Sequence, residues 1–174
     1  QQLPRIPPTE ASEALATFRV EPGFRLELIA SEPDVIDPIA MAFDEHGRMF
    51  VVEMRDYPFT SEKNNLTTSD LAKSQPDGRV RLLEDRDGDG KVDRSTVFLD
   101  GLAWPPAIAC SNGGVFVASA PDIIFAKDED GDGVADKREV HYRGFGRRNV
   151  QALLNGLRWG IDHKLYGNTS HNAG

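Results

Sequence analysis

Two short stretches of this chain space carboxylates in the way a hard cation requires. In DEDGDGVADKRE, residues 128–139, Asp128, Asp130, Asp132, Gly133 and Glu139 fill positions 1, 3, 5, 6 and 12 of the pattern D-x-[DN]-x-[DN]-G-x5-E. Val134 at position 7 would offer a backbone carbonyl, and Asp136 at position 9 would reach the ion directly or through water. Ca²⁺ takes roughly six to eight oxygen ligands near ~2.4 Å; alternate residues of a curled loop turn inward while glycine permits the bend. Without a cation, carboxylates about 5 Å apart repel by roughly 0.8 kcal/mol per pair even in water. A second stretch, DRDGDGKVD at residues 85–93, supplies Asp85, Asp87, Asp89, the Lys91 carbonyl and Asp93. Thr96 stands where the bidentate Glu should be, so this site is expected to be the weaker one. The plainer alternative for both is an Asp/Gly hairpin turn that binds nothing.

The elements around these stretches are short. From Gly23 onward, apolar or alternating runs of five to seven residues are punctuated by Gly, Pro, Asp and Asn, the pattern of an all-β protein. IAMAFDEHGRMFVVEM (39–54) matches AIACSNGGVFVASA (107–120) and, more loosely, LNGLRWGIDHKLYG (154–167): strand, tight polar turn, strand. Each of the first two is followed by a further pair, VRLLED with TVFLDG and DIIFAKD with EVHYRG, and the acidic stretches sit between the members of those pairs. Four strands repeating at about 43 to 45 residues is the period of a β-propeller blade. The sequence therefore predicts a β-propeller segment of about two and a half four-stranded blades: blade 39–100, blade 107–144 and the start of another over 149–174. FRLELIA (24–30) is expected to be an outer strand completing the last blade of the ring. Residues 1–22 read as a Pro-rich extended leader and a short helix, capped by Thr9 ahead of EASEALATF. Two and a half blades cannot close, so the chain is expected to be the N-terminal part of a longer protein. An EF-hand is disfavoured, because strand-like runs flank both acidic stretches.

In an up-and-down blade both acidic stretches are third-to-fourth turns and share one face with the first-to-second turns. Bracing the blades is their expected role. His46 and His163 fall in first-to-second turns on that same face, which makes them unlikely catalysts. The opposite face should collect RDYP (55–58) with its long insertion, LAWPPA (102–107) and GFGRRNVQ (144–151), and loops on one end of a scaffold are where function concentrates. Arg55, Asp56 and Tyr57 offer a cation, a carboxylate and a phenol there, or simply a local ion pair. Arg147 and Arg148 could clamp an anion or remain solvated, and Trp104 and Trp159 read as packing between blades.

Composition excludes several classes. A net charge of −8, from 20 basic and 28 acidic residues, lacks the basic field that a nucleic-acid partner needs. No apolar run approaches the length that crosses a bilayer. The single cysteine, Cys110, leaves no internal disulfide, no CxxC zinc site and no CxxCH haem attachment, and reads as a small buried apolar side chain. The chain opens on Gln1 rather than Met, as expected of a processed or trimmed N-terminus.

The ordered motifs VEPGFRLELIASEP, DPIAMAFDEHGRMFVVEMRDYP, GRVRLLEDRDGDGKVDRSTVFLDGLAWP, DIIFAKDEDGDGVADKREV and NGLRWGIDHKLYG, spanning about Leu3 to Gly167, resemble the N-terminal propeller domain of the membrane-bound dehydrogenases abundant in Planctomycetes. Such domains are similar to the glucose and sorbosone dehydrogenase propellers that use pyrroloquinoline quinone (PQQ). The resemblance implies a six-bladed propeller in an exported protein, periplasmic, secreted or at the cell surface, with structural calcium. It also implies oxidation of a sugar or alcohol at PQQ, with electrons passing to a haem c domain or a cytochrome c partner. In those relatives a His removes the hydroxyl proton, and alignment places it at Ala152, which cannot accept one. Gln151, Asn155 and Arg158 beside it could bind ligand, but none is a good base near neutral pH. The competing expectation is therefore a non-catalytic, calcium-braced module that binds glycans or proteins. A calcium-dependent lactonase would need its metal at the central channel, which the outer turns disfavour.

Overall fold

The computed structural model describes residues 7–55, 57, 76–146 and 153–169. The chain is all-β apart from one helical turn, Ala11–Ala14 (α1), continued by a 3-10 turn over Leu15–Thr17. The expected Thr9 cap is not formed. Glu10 holds the N-cap position with no side-chain hydrogen bond, and the turn is closed instead by the Thr17 hydroxyl donating to the Ala14 carbonyl at 2.7 Å.

Among the described residues ten strands follow: β1 (Pro38–Phe43), β2 (Met49–Glu53), β3 (Gly78–Glu84), β4 (Arg94–Leu102), β5 (Ala107–Ser111), β6 (Gly114–Ser119), β7 (Asp122–Lys127), β8 (Lys137–Arg143), β9 (Asn155–Trp159) and β10 (Leu165–Asn168). They form two four-stranded antiparallel meanders, β1-β2-β3-β4 and β5-β6-β7-β8, and a two-stranded sheet β9-β10. Consecutive strands pair antiparallel, and the shortest connections, β5 to β6 and β6 to β7, are two residues long. Asn112 and Gly113, both at positive φ, make the two-residue turn between β5 and β6 whose twist suits a hairpin.

The sheets stack through their first strands, β1 against β5 and β5 against β9. Side chains alternate across each strand, so every sheet offers two apolar faces. Phe50, Val52, Val80, Leu82 and Phe98 of the first sheet pack against Ile108, Val115, Val117, Ile124 and Ala126 of the second, with Phe50 and Phe98 edge to face at 4.9 Å. The other face of the second sheet meets Leu154 and Leu157 through Ala107, Ala109, Ala118 and Ile123. Trp104 is buried with Ala120 and Leu153, in the packing role expected of it.

Residues 24–30 carry no ladder, since a strand exists only with a neighbour and no described strand pairs with them. The segment nevertheless runs beside the first acidic turn, where Leu26, Glu27 and Leu28 share a cleft with Asp89, Gly90 and Lys91.

Candidate metal centre

Both acidic stretches are third-to-fourth turns, 85–93 between β3 and β4 and 128–136 between β7 and β8. Five of their internal hydrogen bonds correspond position by position, and the first turn adds the Asp87 N–H donating to Asp93 at 3.3 Å. Asp85 accepts the Gly88 N–H at 2.7 Å and the Gly90 N–H at 2.8 Å, as Asp128 accepts Gly131 at 2.6 Å and Gly133 at 2.9 Å. Asp87 and Asp130 each accept the N–H two residues on at 3.1 Å. Asp89 accepts from Lys91 at 2.8 Å, and Asp132 from Val134 at 2.7 Å. Asp93 reaches back to the Arg86 N–H at 2.7 Å, and Asp136 to Glu129 at 2.8 Å. Gly88, Gly90, Gly131 and Gly133 all have φ between 78° and 92°, a region open to glycine at little strain.

This curl draws carboxylates together. Oxygens of Asp85, Asp87 and Asp89 lie within 4.8 Å of one another, as do those of Asp128, Asp130 and Asp136. A hard, oxygen-only donor set with a spare lone pair on each oxygen suits Ca²⁺. The Asp128 carboxyl is raised by burial, but N–H bonds from Gly131, Gly133 and Asp130, together with the Arg48 charge, hold it below the ordinary range. It is ionised, as a ligand must be.

Three expected carboxylate ligands stand outside these groups. Glu139 is in β8, its carboxylate held by Lys137 Nζ at 3.1 Å and His141 Nε2 at 3.6 Å. Asp93 and Asp132 are bonded within their turns but are not members of the close triads. The difference expected between the turns, Glu139 against Thr96, is therefore not one of geometry within the triads. What differs is the setting. The second turn lies on the first sheet: Ala135 N–H donates to the Phe98 carbonyl at 2.9 Å, and Arg94 Nη2 donates to the Asp132 carbonyl at 2.7 Å. His46 and His163 fall in the turns after β1 and β9.

The opposite end holds the remaining candidates. Arg55 follows β2 and pairs with Asp77 at 3.5 Å, a local ion pair, and Tyr57 beside it is exposed. Asn155 and Arg158, both on β9, line one small cleft with Ile39, Pro106 and Ile108, across the first strands of all three sheets. Arg158 makes a single long hydrogen bond, to the Leu157 carbonyl at 3.4 Å. Asp56, Arg147, Arg148, Gln151 and Ala152 lie outside the described residues. Cys110 is half-buried, and burial, with Asp44 and Glu45 nearby, pushes its thiol up to about 11, so it is an unreactive packing group.

Two buried polar groups escaped the sequence reading. Glu53, fully buried at the end of β2, accepts the Ile36 N–H at 2.7 Å and pairs with Arg79 and, at 3.3 Å, Arg81. Ser119, at the matching end of β6, accepts the Ala103 N–H at 3.0 Å. Each ties down the chain entering the first strand of its own sheet. The available signal was a lone Glu in the run MFVVEM opposite the alternating arginines of GRVRLLE.

The repeated sheets, the paired acidic turns and the leading helix fall within one family match, since a model described as a domain of unknown function (DUF7133) covers residues 10–174. The chain belongs to the DUF7133 family. No curated protein and no solved structure matches it. The DUF7133 match takes in both acidic turns and the Asn155–Arg158 cleft. Among the described residues, no helix is long and apolar enough to cross a membrane.

Proposed function

We propose that this DUF7133 chain is a calcium-braced part of a β-propeller in an exported protein, and that the face opposite the acidic turns holds a sugar, an alcohol or a glycan. The observation that carries the reading is the closely matching bonding of the two turns, each with three carboxylates whose oxygens lie within 4.8 Å of one another. Asp85, Asp87 and Asp89 would hold one ion and Asp128, Asp130 and Asp136 the other. A bound ion supplies positive charge that offsets their repulsion. The stacking of β1, β5 and β9 supports a radial array. So does the uncovered face of the first sheet, where Ile39, Met41 and Phe43 are exposed. Met41, Phe43 and Val51 there correspond by the repeat to Ile108, Cys110 and Val117, which pack against the first sheet, so the same kind of neighbour suits both.

Quinone-dependent oxidation is the second reading, favoured by the resemblance and by Arg158, which pairs with no carboxylate among the described residues. Binding without chemistry stands ahead of it, because the described histidines lie elsewhere. His46 and His163 are on the acidic-turn face, and His141 is on β8 against Phe116 and Phe125. Titration of the purified protein with PQQ in the presence of Ca²⁺ decides between them. An unchanged quinone absorbance, with retention on a glycan array, is the expected result; a saturable spectral shift with sugar-dependent dye reduction would establish the dehydrogenase instead.

A further inference from the structure

The fold covers the free edge of its outermost strand in a specific way. β4 has no fifth strand, and an open edge invites unwanted pairing. Its Phe98 carbonyl takes the N–H of Ala135, its Asp100 and Gly101 carbonyls take Arg138 at 3.1 and 3.4 Å, and its opening cation, Arg94, takes the Asp132 carbonyl. The acidic turn of one sheet thus clasps the outer strand of the sheet before it. Residues 26–28 line a cleft beside the first acidic turn.

β8 is the second outer strand, and nothing clasps it among the described residues. Apart from Lys137 every residue of β8 is exposed, whereas β4 is buried at Phe98, Leu99 and Leu102. β8 also opens on a cation, Lys137, directly after the last Asp of its turn, as Arg94 does. With Arg138 taken up by the clasp on β4, Lys137 and Arg143 remain on β8 beside one carboxylate, Glu139, in a chain of net charge −8. Inside this edge runs an apolar groove lined by Phe116, Ile123, Tyr142, Trp159 and Leu165, between the second sheet and the two-stranded sheet.

We infer that the outer edge of β8 is a docking surface for an acidic Asp/Gly turn, carried by a β-hairpin that pairs with β10 and fills this groove. The hairpin would bring the β9-β10 sheet to the four strands of its neighbours. Its turn would donate a backbone N–H to a β8 carbonyl and offer a carbonyl to Lys137, repeating the clasp on β4. The inference rests on the repeat and the charges, whether or not the turns bind a cation.

The test appends a second copy of residues 122–143 to the C-terminus through a flexible Gly/Ser linker, which raises its effective concentration to the millimolar range. Amide exchange is then read by NMR. The appended counterpart of Ala135 is expected to exchange at least about ten-fold more slowly than in the free peptide, and Lys137→Glu is expected to remove that protection while leaving the resident Ala135 protected. A free-peptide rate in the appended copy, with the resident Ala135 still protected, would overturn the proposal. Protection that survives Lys137→Glu would overturn the charge-based recognition.

Discussion

The substitution Asp128→Asn separates a cation ligand from a mere hydrogen-bond acceptor. In the absence of metal two effects oppose each other. Neutralising Asp128 relieves its repulsion with Asp130 and Asp136, whose oxygens lie within 4.8 Å; at about 0.9 kcal/mol per pair in water this amounts to roughly 1.7 kcal/mol. Against that, Asn keeps one acceptor where Asp128 now uses two, for Gly131 and Gly133. Losing a hydrogen bond to a charged group costs about 1.5–3 kcal/mol. In a chelator the variant is therefore expected within about 1 kcal/mol of the parent. With Ca²⁺ at about 100 times its dissociation constant, an intact turn gains about 2.7 kcal/mol, which the variant forfeits. For a chain of this size that is a midpoint difference of roughly 5–10 °C, appearing only when calcium is present. Differential scanning calorimetry in Ca²⁺ and in EDTA reads it directly. If Asp128→Asn lowers the midpoint equally in both buffers, the carboxylate serves the turn alone and the metal reading is wrong. Glu139→Gln is the companion experiment: with its carboxylate on Lys137 and His141, its calcium response should match the parent's within about 0.5 kcal/mol.

Two further outcomes follow from buried charges. Glu53→Gln leaves Arg79 and Arg81 without their anion in a half-buried setting and should destabilise the chain by about 3–5 kcal/mol in urea unfolding; a loss below about 1 kcal/mol would show that the pair is solvated. The Asp44 carboxyl is raised by burial, yet the Arg48 and His46 bonds bring it below its ordinary 3.8. A carboxyl lowered in the folded state stabilises it above the unfolded value and ceases to do so as pH falls through the lowered one. Asp44→Asn should therefore cost about 1.5–3 kcal/mol near pH 7, a difference that shrinks only below about pH 3.8; a penalty that grows on acidification would contradict this sign.

The strands and their order were legible because alternation and tight turns are local properties. Asn112-Gly113 dictates a hairpin wherever it lies between apolar runs. Glu53 and Ser119 were hidden, because what defines them is the chain segment that each one holds, Ile36 and Ala103, and no local pattern reveals that pairing. The segment 24–30 has the alternation of a strand, but alternation supplies only one side of a ladder.

Glu139 shows most clearly where a motif and its setting part company. The twelve-residue pattern assumes that the chain turns back beneath its own loop after position 9, as a helix does within one turn of about 5.4 Å. Here the residues after Asp136 enter β8 directly, and a strand advances about 3.3 Å per residue. Three residues of strand carry Glu139 roughly 10 Å past Asp136, and the period of two places it on the same face as Lys137 and His141, which bind it. The same reasoning makes Thr96 in the first turn no handicap, since the residue it replaces could not have reached an ion there either. Besides the third member of each triad, Asp89 in one and Asp136 in the other, the turns differ in their surroundings. Arg48 and Arg94 stand beside the second turn, and their positive charge opposes a bound cation, while their contacts to a preformed loop reduce the ordering that binding requires.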